Sequence, residues 1–158
     1  IPLFFILRVL GGCFIIDVKP SEWIIVVTFF VSLFLTIIKR KSELLMMGSK
    51  AELHRNVLKY YNVETLNVYI YITATITIFS YILYTVDKNT IYMIGTSNMI
   101  YTSLFVILGL FRFIQLSYAS NDNYNSEGDP TFLIIKDRFI QFILICWILS
   151  VLLILYIK

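Results

Sequence analysis

The sequence predicts an all-α, polytopic transmembrane helix bundle, and three observations carry that prediction. Hydrophobic residues make up 59% of the 158 positions and charged residues only 15%. The mean hydropathy is +0.83. A water-soluble domain of this length has too little interior to hide that much apolar side chain. The apolar residues also fall in long runs without period-two alternation, which favours helices over barrel strands in lipid.

Five spans are legible. Pro2 to Ile16 is short. Trp23 to Ile38 is bounded by "KPSE" and a basic cluster. Leu66 to Val86 has about the ~20 residues a bilayer core requires. Thr90 to Ser117 is long enough to tilt or protrude, and Phe139 to Ile157 comes last. The first residue is Ile1, without the basic flank of a signal peptide, so the chain reads as the C-terminal part of a longer protein.

The connections alternate in charge. Residues 39–65 hold Lys39, Arg40, Lys41, Lys50, Arg55 and Lys59, and residues 118–138 hold Lys136 and Arg138. The opposite connections hold only Lys19 and Lys88. The positive-inside rule places the two basic connections in the cytoplasm, with any site there facing the cytoplasm. Trp23 and the tyrosines near span ends fit an aromatic belt. The net charge of +3 is concentrated in one loop and gives no reason to expect nucleic acid.

Cys13 and Cys146 sit in apolar runs and read as packing residues. His54 is the single histidine, which argues against multi-histidine metal sites and a Ser-His-Asp arrangement. Within residues 39–65, Leu53, Val57 and Tyr61 recur at four-residue spacing while the cations fall elsewhere. That pattern predicts a short amphipathic interfacial helix, which either caps a pocket or rests on anionic lipid. Asn121 to Gly128 is polar and of low complexity, and Asp129–Pro130 is a good start for a short helix toward Lys136.

Polar groups inside the spans are the candidate functional residues. Thr28, Ser32 and Thr36 recur every four residues, and one more step reaches Arg40. The stripe reads first as interhelical hydrogen bonding. Asn98, Thr102, Gly109 and Arg112 lie near one face, with Phe105 between them. Arg8 shares a face with Gly12. A guanidinium several residues inside an apolar run requires an anionic partner, and phosphate matches its geometry. Arg8, Arg40 and Arg112 converge on one side of the membrane if the helices are antiparallel neighbours. Asp137 and Arg138 form a local ion pair on the bland reading.

The order of several segments resembles a known family. "LRVLGG", "TFFVSLFLTIIKRKSELLMMG", "HRNVLKYYNVETLN", "SYILYTV", "GLFRFIQL" and "GDPTFLIIKDRFIQFILICWILSVLLILYIK" together are similar to the C-terminal half of UbiA-superfamily membrane transferases. Within that superfamily the likeness is to the decaprenyl-phosphate phosphoribosyltransferases. It implies the last five helices of a nine-helix fold and a cytoplasm-facing pocket closed by loop helices. The implied reaction moves 5-phosphoribose from phosphoribosyl pyrophosphate to a polyprenyl (decaprenyl) phosphate and releases pyrophosphate. It also implies Mg2+, whose main ligands belong to an Asn-Asp-x-x-Asp motif of the N-terminal half, so this stretch alone should be inactive. A homo-oligomer is plausible by resemblance only.

The departure from the superfamily pattern is informative. Aromatic prenyltransferases carry a second aspartate-rich motif where this sequence has "KRKSE". Three cations and one acid cannot replace paired carboxylates around a metal, yet they can contact phosphate directly. By motif match Lys39, Arg40, Lys41, Arg112, Arg138 and Arg8 are assigned to substrate phosphate, and Glu43 and Asp137 to orienting those cations or touching Mg2+ through water. No general base stands out. The alternatives are a UbiA-type prenyltransferase acting on an aromatic or quinone precursor, and a truncated, non-catalytic membrane protein.

Overall fold

The computed structural model describes residues 2–15, 17, 20–47, 62–119 and 134–156, and every regular element among them is helical. The expected interfacial helix over Leu53, Val57 and Tyr61, the polar Asn121 to Gly128 stretch and the helix start at Asp129–Pro130 lie outside the described residues.

Helix α1 spans Pro2–Ile15 and is apolar but only 14 residues long. At 1.5 Å per residue it covers about 21 Å, less than the ~30 Å hydrocarbon core. Helix α2 spans Glu22–Met47. It does not stop at Ile38 as the charge pattern suggests but runs straight through the basic cluster. The reason is propensity: Lys, Arg, Glu, Leu and Met are good helix formers, and charge alone does not end a helix. Its 26 residues measure about 39 Å, so a span that starts near Trp23 brings Lys39 to Lys41 to the membrane surface.

Helix α3 spans Val63–Val86. Asn62 caps it by accepting the Glu64 N–H at 3.3 Å. Asp87 follows and caps the next helix, α4 (Lys88–Ile94), by accepting the Thr90 N–H at 3.3 Å. Helix α4 ends at Gly95, whose φ of 82° is the left-handed conformation that glycine adopts without steric cost. A short 3₁₀ turn, Asn98–Thr102, then leads into helix α5, Ser103–Ala119. The long span expected from Thr90 to Ser117 is therefore broken at residues 95–97. Only Asn98–Tyr118 is long enough to cross the membrane. Helix α6 spans Arg138–Tyr156.

Among the described residues four helices are long and apolar enough to span a bilayer: Glu22–Leu45, Val63–Val86, Asn98–Tyr118 and Arg138–Tyr156. Five spans were expected; Pro2–Ile15 is the shorter apolar helix among them. Contacts fix their relative direction. A buried cluster joins Phe34 and Ile38 of α2, Ile70 and Ala74 of α3, Phe113 of α5 and Ile140 of α6. Deeper along the bundle, the Trp147 indole N–H donates to the Tyr81 hydroxyl at 3.0 Å. That hydroxyl also bonds the Thr102 hydroxyl at 2.7 Å. Thus α2 and α5 run one way and α3 and α6 the other. The C-termini of α2 and α5 and the N-termini of α3 and α6 share one end, here called the basic end.

The closest packing is between α2 and α3. Lipid supplies no hydrophobic drive between helices, so small side chains and close fit have to hold the seam. Ser32, Thr73, Ala74, Thr77 and Ser80 are buried there or against the neighbouring helices. The hydroxyls of the expected stripe do not bridge helices. Thr28 donates to Ile24 O, Ser32 to Phe29 O and Thr36 to Ser32 O, all at 2.7–2.8 Å within α2. Thr77 does the same toward Thr73 O in α3 at 2.8 Å. Each hydroxyl proton is satisfied on its own helix.

Candidate functional site at the basic end

Two cationic clusters form at the basic end, on different sides of α5. The first is built on Lys41. Its side chain shares a row of α2 with Phe34 and Ile38, spaced four and three residues apart, and that row faces the core. Lys41 is only 1% exposed. Its ammonium donates to the Ser117 carbonyl at 3.2 Å and lies 4.0 Å from the centre of the Tyr118 ring. Ser117 is in the last turn of α5, where carbonyls lack intrahelical partners and carry the negative end of the helix dipole. Lys41 therefore caps α5 from a neighbouring helix. Tyr118 in turn accepts a 2.7 Å bond from the Tyr71 hydroxyl of α3, their rings stacked at 6.4 Å.

The neighbours of Lys41 behave differently. Lys39 is exposed. Arg40 is half-buried and pairs with Glu43 one turn on, Nη1 to Oε2 at 2.7 Å. Glu43 thus meets the Arg40 guanidinium on the same face of α2.

The second cluster is built on Arg112. Its Nη2 and Nε donate to the two carboxylate oxygens of Asp137 at 2.7 and 3.5 Å. Its Nη1 donates to Gln115 Oε1 at 2.8 Å, and its guanidinium lies 5.7 Å from the Phe139 ring. Asp137 Oδ1 also accepts the Ile140 N–H at 2.8 Å, which makes it the N-cap of α6. The Arg112 guanidinium beside it holds the Asp137 carboxyl below the usual aspartate range, helped by that backbone bond and opposed by partial burial. The bland expectation of an Asp137–Arg138 pair is replaced: Asp137 pairs across 25 residues with Arg112, and Arg138 is exposed. Capping explains the choice, because the cap geometry turns the Asp137 carboxylate back toward the end of α5.

Arg8 is exposed on α1, and no described residue pairs with it. It does not join either cluster. The expected face of Asn98, Thr102, Phe105, Gly109 and Arg112 also divides. Asn98 is exposed in the 3₁₀ turn, Phe105 and Gly109 face an internal cavity, and Arg112 faces an outer groove.

That internal cavity is about 530 Å³ and runs between α2, α3, α5 and α6. Phe34 and Phe113, in edge-to-face contact at 5.8 Å, line it toward the basic end. Tyr81 and Trp147 line it at greater depth. Its walls are almost wholly apolar. Sequence reasoning missed Ser117, Tyr118 and Gln115 as partners of the cations, because each meets its cation from another helix or through a local i,i+3 contact. Among the described residues no three His, Cys, Asp or Glu side chains come together as a metal site. Glu43 and Asp137, the two candidate acids, are each engaged by an arginine.

No family model matches the chain, and no solved structure matches it. It is similar to the decaprenyl-phosphate phosphoribosyltransferase of Mycolicibacterium smegmatis, with 26% identity over 145 residues. The alignment covers 91% of this chain and 46% of that protein, so the chain spans about half the length of the curated relative it matches.

Proposed function

We propose that the chain is part of an integral membrane transferase that moves 5-phosphoribose from phosphoribosyl pyrophosphate to a polyprenyl phosphate, releasing pyrophosphate. The observation that carries the reading is the gathering of Lys39, Arg40, Arg112 and Arg138 at one end of an apolar bundle. It is supported by the similarity to the mycobacterial enzyme. Both substrates are phosphate esters, and one is a membrane lipid. A cationic rim above an apolar interior suits that pair.

The residues divide the work. Lys39 and Arg40 at the end of α2 face the pyrophosphate, with Glu43 holding the Arg40 guanidinium in place. Arg112 and Arg138 serve the acceptor phosphate, with Asp137 orienting Arg112. Lys41 holds α5, and with it Arg112, at the correct height. The ribose C1–O bond breaks with oxocarbenium character, and the cations neutralise the departing pyrophosphate. The acceptor is already ionised at neutral pH and requires no general base. Mg2+, implied by the resemblance, finds no ligand set among the described residues. On the positive-inside rule the basic end faces the cytoplasm.

The test is transfer of labelled phosphoribose in membranes that contain the complete protein. The expected result is a labelled lipid that forms only when both phosphoribosyl pyrophosphate and polyprenyl phosphate are supplied. Prenylation of an aromatic acid without use of phosphoribosyl pyrophosphate would overturn the reading in favour of aromatic prenyl transfer.

A further inference from the structure

Arg112 does not face the internal cavity. It lines an outer groove of about 510 Å³ between α5 and α6, together with Leu108, Phe111, Gln115 and Phe139. The groove is two-toned. Arg112 and Gln115 lie toward the basic end, and Leu108, Phe111 and Phe139 are exposed apolar side chains. Phe142 continues that apolar wall one turn further along α6 and is also exposed.

Among the described residues the guanidinium is not used up. Of its five N–H groups, three are engaged by Asp137 and Gln115. The remaining two lie on different terminal nitrogens, and the side chain is 31% exposed. Arg138 is also exposed at the start of α6. Arg112 and Arg138 together outweigh the single charge of Asp137. A site with donors at the membrane surface and an apolar wall running into the lipid matches an amphiphile with an anionic head. A phosphate monoester fits best, because its extra charge can compete with Asp137 for the guanidinium where a phosphodiester competes less well.

We propose that this outer α5–α6 groove is where the acceptor lipid docks from the bilayer, its phosphate on Arg112 and its first isoprene units along Leu108, Phe111 and Phe139. The proposal rests on the acceptor assignment made above and adds the route by which that acceptor arrives. Asp137 then acts as a competing anion that the lipid phosphate partly displaces. It keeps its cap bond to the Ile140 N–H while doing so.

The experiment uses a photoreactive polyprenyl phosphate on the complete protein in phosphatidylcholine nanodiscs. Crosslinks should map to residues 108–115 and 139–142, and phosphatidylglycerol should not compete. Two substitutions break the same ion pair and separate binding from mere structure. Arg112→Gln should lower labelling at least about tenfold, the loss of a charge-assisted contact. Asp137→Asn frees the guanidinium, keeps a capping side chain and should raise labelling. A change in the same direction for both variants, crosslinks confined to the internal cavity around Tyr81 and Trp147, or equal competition by phosphatidylglycerol would each overturn the proposal. Labelling in the groove without phosphoribosyl transfer would instead overturn the reaction and leave the lipid site standing.

Discussion

Lys41 and Arg112 lie at the same end of the bundle and touch the same helix, yet they are built for opposite purposes. Lys41 is sealed from solvent, and its ammonium meets a backbone carbonyl and an aromatic ring. Arg112 is part-exposed and meets a carboxylate and an amide that another anion can rival. A lysine held by neutral groups has nothing to exchange. An arginine held by an acid has a partner that can be displaced. The difference teaches that the cations at one end of a bundle are not equivalent, and that charge counting alone cannot tell a strut from a group open to exchange.

The sharpest way to break the contrast is Lys41→Met. Without the ammonium the Ser117 carbonyl loses its partner at the end of α5. The expected cost is about 2–3 kcal/mol, typical of a charged hydrogen bond lost from a buried site. Thermal unfolding in detergent reads it; an unchanged midpoint would show that Lys41 is not a strut. Next comes Asp137→Ala, which removes both the cap of α6 and the pair with Arg112. A loss of about 1–2 kcal/mol is expected. Asp137→Asn should cost less than the alanine, because its side-chain oxygen still caps.

The acid response sharpens the Arg112 side further. The folded-state carboxyl of Asp137 titrates below its ordinary value of 3.8 because of Arg112. A depressed carboxyl contributes stability that is fully present above the unfolded pKa and fades as pH falls through the folded one. The stability gap between the wild type and Asp137→Asn should therefore narrow below about pH 4 and be absent once Asp137 is protonated. A gap that persists at lower pH would assign it to something other than the ion pair. The smallest effect is expected for Arg40→Gln. The Arg40–Glu43 pair is substantially exposed, and such pairs contribute about 0.5 kcal/mol. Its loss should leave the unfolding midpoint nearly in place while weakening use of phosphoribosyl pyrophosphate.

How much of this was legible follows from the physics of each feature. Long apolar runs reveal helices in lipid, and α2, α3 and α6 are plain for that reason. The break at Gly95 did carry a signal, the polar run Gly95, Thr96, Ser97 and Asn98, but the apolar stretches on either side of it read as one span. The burial of Lys41 was available in principle: Phe34, Ile38 and Lys41 share a row. The threonine stripe instead drew the eye to Arg40, one residue off that row. The Arg112–Asp137 pair joins positions 25 apart through tertiary packing and leaves no local pattern. Arg8 lies within an apolar run yet is exposed on a short helix, apart from both clusters.

The hydroxyls of Thr28, Ser32, Thr36 and Thr77 each give their proton to a carbonyl of their own helix. Side-chain chains that carry protons across membranes require donors free to reorient. Here those protons are committed to the backbones of α2 and α3. Back-bonded in this way, the four hydroxyls let small polar side chains sit inside the bundle without tying one helix to the next.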